Sequence, residues 1–116
     1  MQRGDVHLIT VTLPSRPSGQ GGTRAKHLVV LQGGPEFANT LDVAVVLCST
    51  RRTTRPPRAF EVLAGPREGF TEETLIDCRW PLTVPKTDFN RSNFTLHLDH
   101  RVMELVSEAL TVGLQM

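Results

Sequence analysis

Apolar residues recur at every second position where the chain begins. In DVHLITVTL (5–13), Val6, Leu8, Val11 and Leu13 alternate with polar neighbours, Ile9 out of step, and the stretch predicts a β-strand. PSRPSGQGGTR (14–24) holds two Pro, three Gly and two Ser, and predicts a loop. KHLVVLQ (26–32) predicts a second strand, buried on both faces along its unbroken LVVL centre. GGPEFANTL (33–41) is a connector with room for one helical turn, since Pro35 suits the first position of a helix. VAVVLCS (43–49) is the strongest strand signal, and TRRTTRPPR (50–58) follows it as a loop with four arginines. AFEVL (59–63) predicts a short strand pairing back across that loop, and AGPREGF (64–70) a turn. TLIDC (74–78) predicts a strand that RWPLTVP (79–85) continues or kinks at Pro81, and irregular KTDFNRSNF leads into strand TLHL (95–98).

The period then changes. From Asp99 onward, Val102, Leu105, Val106, Ala109 and Leu110 fall at i, i+3, i+4, i+7 and i+8, one apolar stripe on a helix with Asp99 as its N-cap. Several short strands followed by one amphipathic C-terminal helix predict a mainly β fold: a small, partly open β-barrel with the helix packed on it. The 116 residues (1–116) suit a single domain.

Composition narrows the choice. With 39% apolar and 22% charged residues, the chain is ordinary globular material rather than disordered. Five Phe, one Trp and no Tyr leave the core to Val, Leu and Ile, and leave no aromatic row for stacking bases. MQRGDVHLITV lacks the apolar core of a signal peptide, and no run of about 18 apolar residues occurs, so a cytoplasmic, non-membrane protein is expected. Cys48 and Cys78 read as two reduced, half-buried thiols, and with scattered His they make no zinc site. No cofactor is implied. Net charge is +1, but residues 1–60 carry eight Lys/Arg against three acids while 61–116 carry five against nine. Such a split suggests one basic and one acidic surface unless the fold mixes the halves.

Three clusters carry candidate chemistry. SGQGGTRAK (18–26) invites a phosphate-loop reading, but no Gly-Lys-Ser/Thr occurs and a strand, not a helix, follows the glycines. What remains is a glycine-rich loop with Arg24 at its hinge, where a guanidinium can grip a phosphate; the plainer alternative is a hairpin loop with a surface arginine. LCSTRRTTR (47–55) sets Ser49 and Thr50 at a strand end with Arg51 and Arg52 beyond, suited to phosphate oxygens or simply a solvated charge run. In IDCRWPLT (76–83), Asp77 and Arg79 share one face of a strand, as a surface ion pair or as reactive groups. The histidines 7, 27, 97 and 100 are isolated, and His27 reads as a satisfied core histidine. No nucleophile has a base beside it, so an enzyme made of these parts needs a substrate that brings its own nucleophile, as RNA does in its 2′-hydroxyl.

RGDVHLITV (3–11), SGQGGTRA (18–25), LVVLQ (28–32) and VVLCST (45–50) together resemble the MazF/PemK/Kid family of bacterial toxins, with GF (69–70), CRWPLT (78–83) and the terminal helix in comparable places. The resemblance implies a homodimeric SH3-like, CcdB/PemK-type barrel. It implies a metal-independent, sequence-specific endoribonuclease that cuts single-stranded RNA to 2′,3′-cyclic phosphate and 5′-hydroxyl ends. It further implies inhibition by a cognate antitoxin, with operator DNA bound only through the antitoxin complex.

Carried over residue by residue, the family's loop arginine matches Arg24, and the hydroxyl residue ending its third strand matches Ser49 or the adjacent Thr50. Asp77 and Arg79 are then candidates for acid–base work, and Arg16, Gln20, Thr23, Arg51, Arg52 and Thr83 for RNA binding. The chain departs from the family in having Gly19 where the loop carries Glu. It also reads Asp77-Cys78-Arg79-Trp80-Pro81-Leu82-Thr83 where one branch reads Arg-Cys-Asp-Gln-Pro-Arg-Thr. The same barrel serves the CcdB branch, which poisons DNA gyrase by binding, and a catalytically weak RNA-binding barrel is a third reading.

Overall fold

The computed structural model describes residues 1–13 and 22–115. Six strands, β1 (Asp5–Leu13), β2 (Gly22–Val30), β3 (Asp42–Thr50), β4 (Glu61–Ala64), β5 (Thr74–Pro85) and β6 (Phe94–His97), precede one helix, α1 (His100–Leu114). All neighbours pair antiparallel in a single sheet of order β4-β5-β3-β2-β1-β6. The sheet curls until its edges meet. Gly69, in the turn between β4 and β5, lies so close to Leu96 of β6 that an added Cβ would sit 3.3 Å from that side chain. The expected partly open barrel with a C-terminal helix is the fold observed.

Alternation along the central strands divides the apolar residues between two cores. Val29 and Val46 face Val6, Ile76, Leu98, Met103 and Val106 beneath α1, whereas Leu28, Val30 and Val45 face Ile9, Val11, Phe37, Val43 and Val84. LVVL is thus buried on both faces as its continuous apolar run predicts. Asp99 caps α1, its side chain accepting a 2.9 Å bond from the Val102 amide. The apolar stripe is shifted from the expected one: Val102, Met103, Val106, Ala109 and Gly113 are buried, while Leu105 is exposed. Met103 joins the buried face in the place given to Leu105.

Two further expectations need correction. β4 does not pair back on β3; β5 lies between them. The Arg51 amide bonds the Glu73 carbonyl at 2.9 Å and the Arg51 guanidinium bonds the Glu73 carboxylate at 2.8 Å, fastening the end of β3 to the start of β5. β5 therefore takes the place beside β3. β2 also begins earlier than expected, since Gly22, Thr23 and Arg24 already pair with Leu13, Thr12 and Val11.

β5 continues through Pro81, as one of the two expected courses has it, and bulges there. Its register against β3 jumps from Asp77 opposite Leu47 to Leu82 opposite Val45, leaving Cys78–Pro81 facing the single residue Val46. Here α1 approaches closest: a Cβ on Gly113 would meet the Cys78 carbonyl oxygen at 2.6 Å and the Arg79 Cα at 2.9 Å. Only glycine fits.

Candidate active site

The site arises where two strands part. β2 and β3 pair only over Leu28–Val30 with Val45–Leu47. Beyond that ladder, β2 stays bonded to β1 and β3 to β5, so both remain ordered strands but no longer pair with each other. Burial follows the sequence: Val30, Val29 and Leu28 are fully buried, Lys26 and His27 half-buried, and residues 22–25 exposed. With no apolar side chains to bury at the GTRAK end, nothing draws the strands together.

A cleft of about 380 Å³ opens between them. Arg24, Lys26 and His27 line one wall, Ser49 and Thr50 the other, with Arg52, Phe70, Thr71, Glu72 and Thr74 around the mouth. Gly22 leads into the first wall with φ +118°, a left-handed value that other residues rarely adopt. Three cations against one carboxylate make the cleft attractive to an anion, and the Ser49 and Thr50 hydroxyls can both donate to its oxygens.

Two groups in this cleft have altered proton affinity. Burial pushes the Cys48 thiol up to about 12, helped by the neighbouring Cys78, so it is not a thiolate nucleophile. Burial also lowers the His27 imidazole below its ordinary value, leaving the ring neutral at neutral pH. His27 stands edge-on to Phe70 with ring centroids 5.8 Å apart. Among the described residues, the histidine side chains with hydrogen-bond or ion-pair partners are His7, His97 and His100. His27 is therefore a cleft histidine, not the satisfied core histidine expected. The core histidine is His7, buried between Phe89 and Phe94 with Nδ1 2.6 Å from Asn93 Oδ1, while its buried Nε2 has no partner among the described residues.

Of the expected site residues, Arg24, Ser49, Thr50 and Arg52 meet in the cleft. Arg51 is tied to Glu73 and to the carbonyls of Thr54 and Arg55, bracing the loop beside the cleft. Thr23 lies on β2 with its hydroxyl 3.4 Å from that of Thr12, and Thr83 is exposed on β5 opposite Ala44. Asp77 and Arg79 sit outside the cleft lining. The Asp77 carboxylate accepts from the Arg79 amide at 2.9 Å and lies 3.7 Å from its guanidinium, which stacks over Phe60 at 4.5 Å and Trp80 at 5.2 Å. Arg16, Gln20 and Gly19 lie outside the described residues.

Lys26 and His27 are the cleft residues that motif reasoning passed over. Their signal was positional: two polar residues at the end of a strand whose apolar run begins only at Leu28. Among the described residues, no group of three or more His, Cys, Asp or Glu is arranged to hold a metal ion, and no helix is long and apolar enough to cross a membrane. The charge halves are mixed, since Arg51–Glu73 and Arg55–Glu61 join the basic and acidic parts at 2.8 Å each.

A curled six-stranded antiparallel sheet closed by a C-terminal helix is an architecture with clear structural likenesses. No protein-family model and no curated protein sequence matches the chain. An endoribonuclease from a Mycobacterial species, solved in complex with its cognate antitoxin, superposes with a TM-score of 0.72 at 20% identity, over 100% of this chain and 96% of that one. The Mycobacterium tuberculosis toxin MazF-mt6 gives 0.69 at 17% identity, covering 97% of each chain. MazF in a MazE–MazF crystal from Deinococcus radiodurans gives 0.67 at 17% identity, over 100% of this chain and 96% of that chain. The fold is that of the MazF-type toxins.

Proposed function

We propose that this chain is a MazF-type endoribonuclease toxin. The observation that carries the reading is the cleft between the parted ends of β2 and β3, which sets Arg24, Lys26 and Arg52 around the Ser49 and Thr50 hydroxyls on that fold. Cations and hydroxyl donors around a groove open to solvent suit a phosphodiester. Arg24 holds the scissile phosphate and stabilises the charge that grows on it in the transition state. Ser49 or Thr50 donates to a phosphate oxygen, and Arg52 draws the flanking strand in, so binding weakens as salt rises. The nucleophile is the substrate's own 2′-hydroxyl, which leaves 2′,3′-cyclic phosphate and 5′-hydroxyl ends and requires no metal.

On this reading the substrate is single-stranded RNA cut at a preferred short sequence, in the cytoplasm, with translation and growth inhibited as a result. The active form is a homodimer, with Arg16, Gln20, Thr23 and Thr83 as further RNA contacts. A cognate antitoxin neutralises the toxin and carries it to operator DNA. Asp77 and Arg79 have a structural part here, stiffening the β5 bulge, and perform no step.

The test is incubation of the purified chain with a long RNA in EDTA, followed by mapping of both new ends. Cyclic-phosphate ends at a recurring short motif support the proposal. RNA left whole contradicts it, and inhibition of gyrase supercoiling by the same preparation would then point to a CcdB-like mode.

A further inference from the structure

We propose that His27 is the proton-accepting group of the cleft, taking the proton of the RNA 2′-hydroxyl while Arg24 holds the phosphate. The inference rests on the endoribonuclease reading and names a group that reading leaves open. RNA supplies the nucleophile, but an alcohol needs a base before it attacks phosphorus. The carboxylate Asp77 is engaged with Arg79 outside the cleft. Glu72 stands among the groups around the mouth, in a segment before β5 whose neighbour Glu73 is already held by Arg51.

His27 meets the requirements better. It lines the same cleft as Arg24, Ser49 and Thr50. It makes no hydrogen bond to another described residue, so a ring nitrogen is available to a ligand. The Phe70 ring edge restrains its orientation. Burial keeps it neutral, and the charged groups that share its cleft are Arg24 and Lys26 from β2, Arg52 from beyond β3 and Glu72 before β5. β1 offers only Leu8 opposite it, and the Cys48 thiol on β3 stays protonated.

The step balances within the cleft. The 2′-hydroxyl proton passes to a ring nitrogen of His27 as the 2′-oxygen forms its bond to phosphorus. The P–O5′ bond breaks with its electron pair on the 5′-oxygen, which takes a proton from water. The hydroxide so formed recovers the proton from the imidazolium, and His27 returns to its neutral state.

The experiment is single-turnover cleavage across pH by wild type, His27→Gln and His27→Ala, the last with and without millimolar imidazole. Affinity for a 2′-O-methyl copy of the RNA is measured alongside. The rate should fall at least ~100-fold in both variants at neutral pH. The wild-type loss of rate on acidification should disappear with the histidine, imidazole should restore part of the Ala variant's rate, and affinity should hold within about twofold, a change worth well under 1 kcal/mol. Variants that cut at the wild-type rate, or that keep the acid-side loss, overturn the role of His27 while leaving the endoribonuclease reading intact. Wild type that leaves RNA whole overturns that reading and this role with it. Should the variants not fold, the His27 ring proton resonances of wild type decide: they should shift when the 2′-O-methyl RNA binds, and resonances that stay put overturn the inference.

Discussion

Arg24 and Arg79 lie on strands separated only by β3, and their surroundings differ in every respect. Arg79 is held within the fold: its amide bonds Asp77, its guanidinium approaches the same carboxylate and lies over Phe60 and Trp80, and its buried Nε has no hydrogen-bond partner among the described residues. Arg24 has no ion pair or hydrogen bond with any other described residue, and it is exposed at the wall of a cleft. An arginine already paired and stacked stiffens the fold; one left without an internal partner is available to a ligand. Arg51 repeats the first pattern beside the cleft, and Arg52 the second. Charge alone does not tell these apart, because all four are guanidinium groups.

That contrast can be broken by mutation, and the largest effect should come from Arg24→Ala. Cleavage of RNA by this variant should fall about 100- to 1000-fold, the usual cost of removing one donor aimed at developing charge. Its urea unfolding midpoint should match wild type, since the side chain touches nothing the fold depends on. Loss of stability together with activity would place Arg24 with Arg79.

Gly113→Ala probes the opposite end of the sheet, where α1 rests on the β5 bulge. The added methyl meets backbone, which cannot swing aside as a flexible side chain would. A destabilisation of about 1–3 kcal/mol in urea is expected, with the rate per folded molecule unchanged. Arg79→Ala should cost about 1–2 kcal/mol through lost stacking and packing, again with cleavage unaffected. A fall in single-turnover rate for Arg79→Ala at full folding would give Arg79 a chemical part and remove the contrast.

The smallest effect should be at Glu61. Its carboxylate accepts from Arg55 at 2.8 and 3.1 Å and from the Arg58 amide at 2.9 Å, holding the arginine-rich loop closed. These bonds, chiefly that from Arg55, hold its pKa below the ordinary carboxylate value. A lowered pKa stabilises the fold above the unfolded-state value, and that stability is lost as pH falls through the folded-state one. Glu61→Gln should cost about 1 kcal/mol at pH 7. The gap from wild type should narrow on acidification below the ordinary carboxylate range, measured as urea midpoints across pH.

Much of the fold was legible in outline from the period, although in β1 the burial differs from the pattern, with Leu8 exposed and Ile9 buried. β1 spans Asp5–Leu13, as its alternation predicts, β3 grows out of VAVVLCS by one residue at each end, and Asp99 caps the helix. The β4–β5 pairing was not legible, because it depends on Arg51 fastening β3 to Glu73, a contact between residues 22 apart. The irregularity at Cys78–Pro81 was legible only as a continuation or a kink at Pro81, because nothing in RWPLTVP alone encodes a helix lying across it with Gly113 against Cys78 and Arg79. In the site, Arg24, Ser49 and Thr50 could be named from their motifs. His27 could not, because its meaning depends on where the β2–β3 ladder stops, and KHLVVLQ reads as a uniformly paired strand until the two strands are seen to part.

The central claim is that this cleft holds a phosphodiester while the substrate attacks itself. It is tested most directly by placing a single 2′-deoxynucleotide at a mapped cut site in an otherwise unmodified RNA. In EDTA, the wild-type chain should cut every other site of the same motif and leave that one intact. Cleavage at the deoxy position, or an unmodified RNA left whole, would contradict the account.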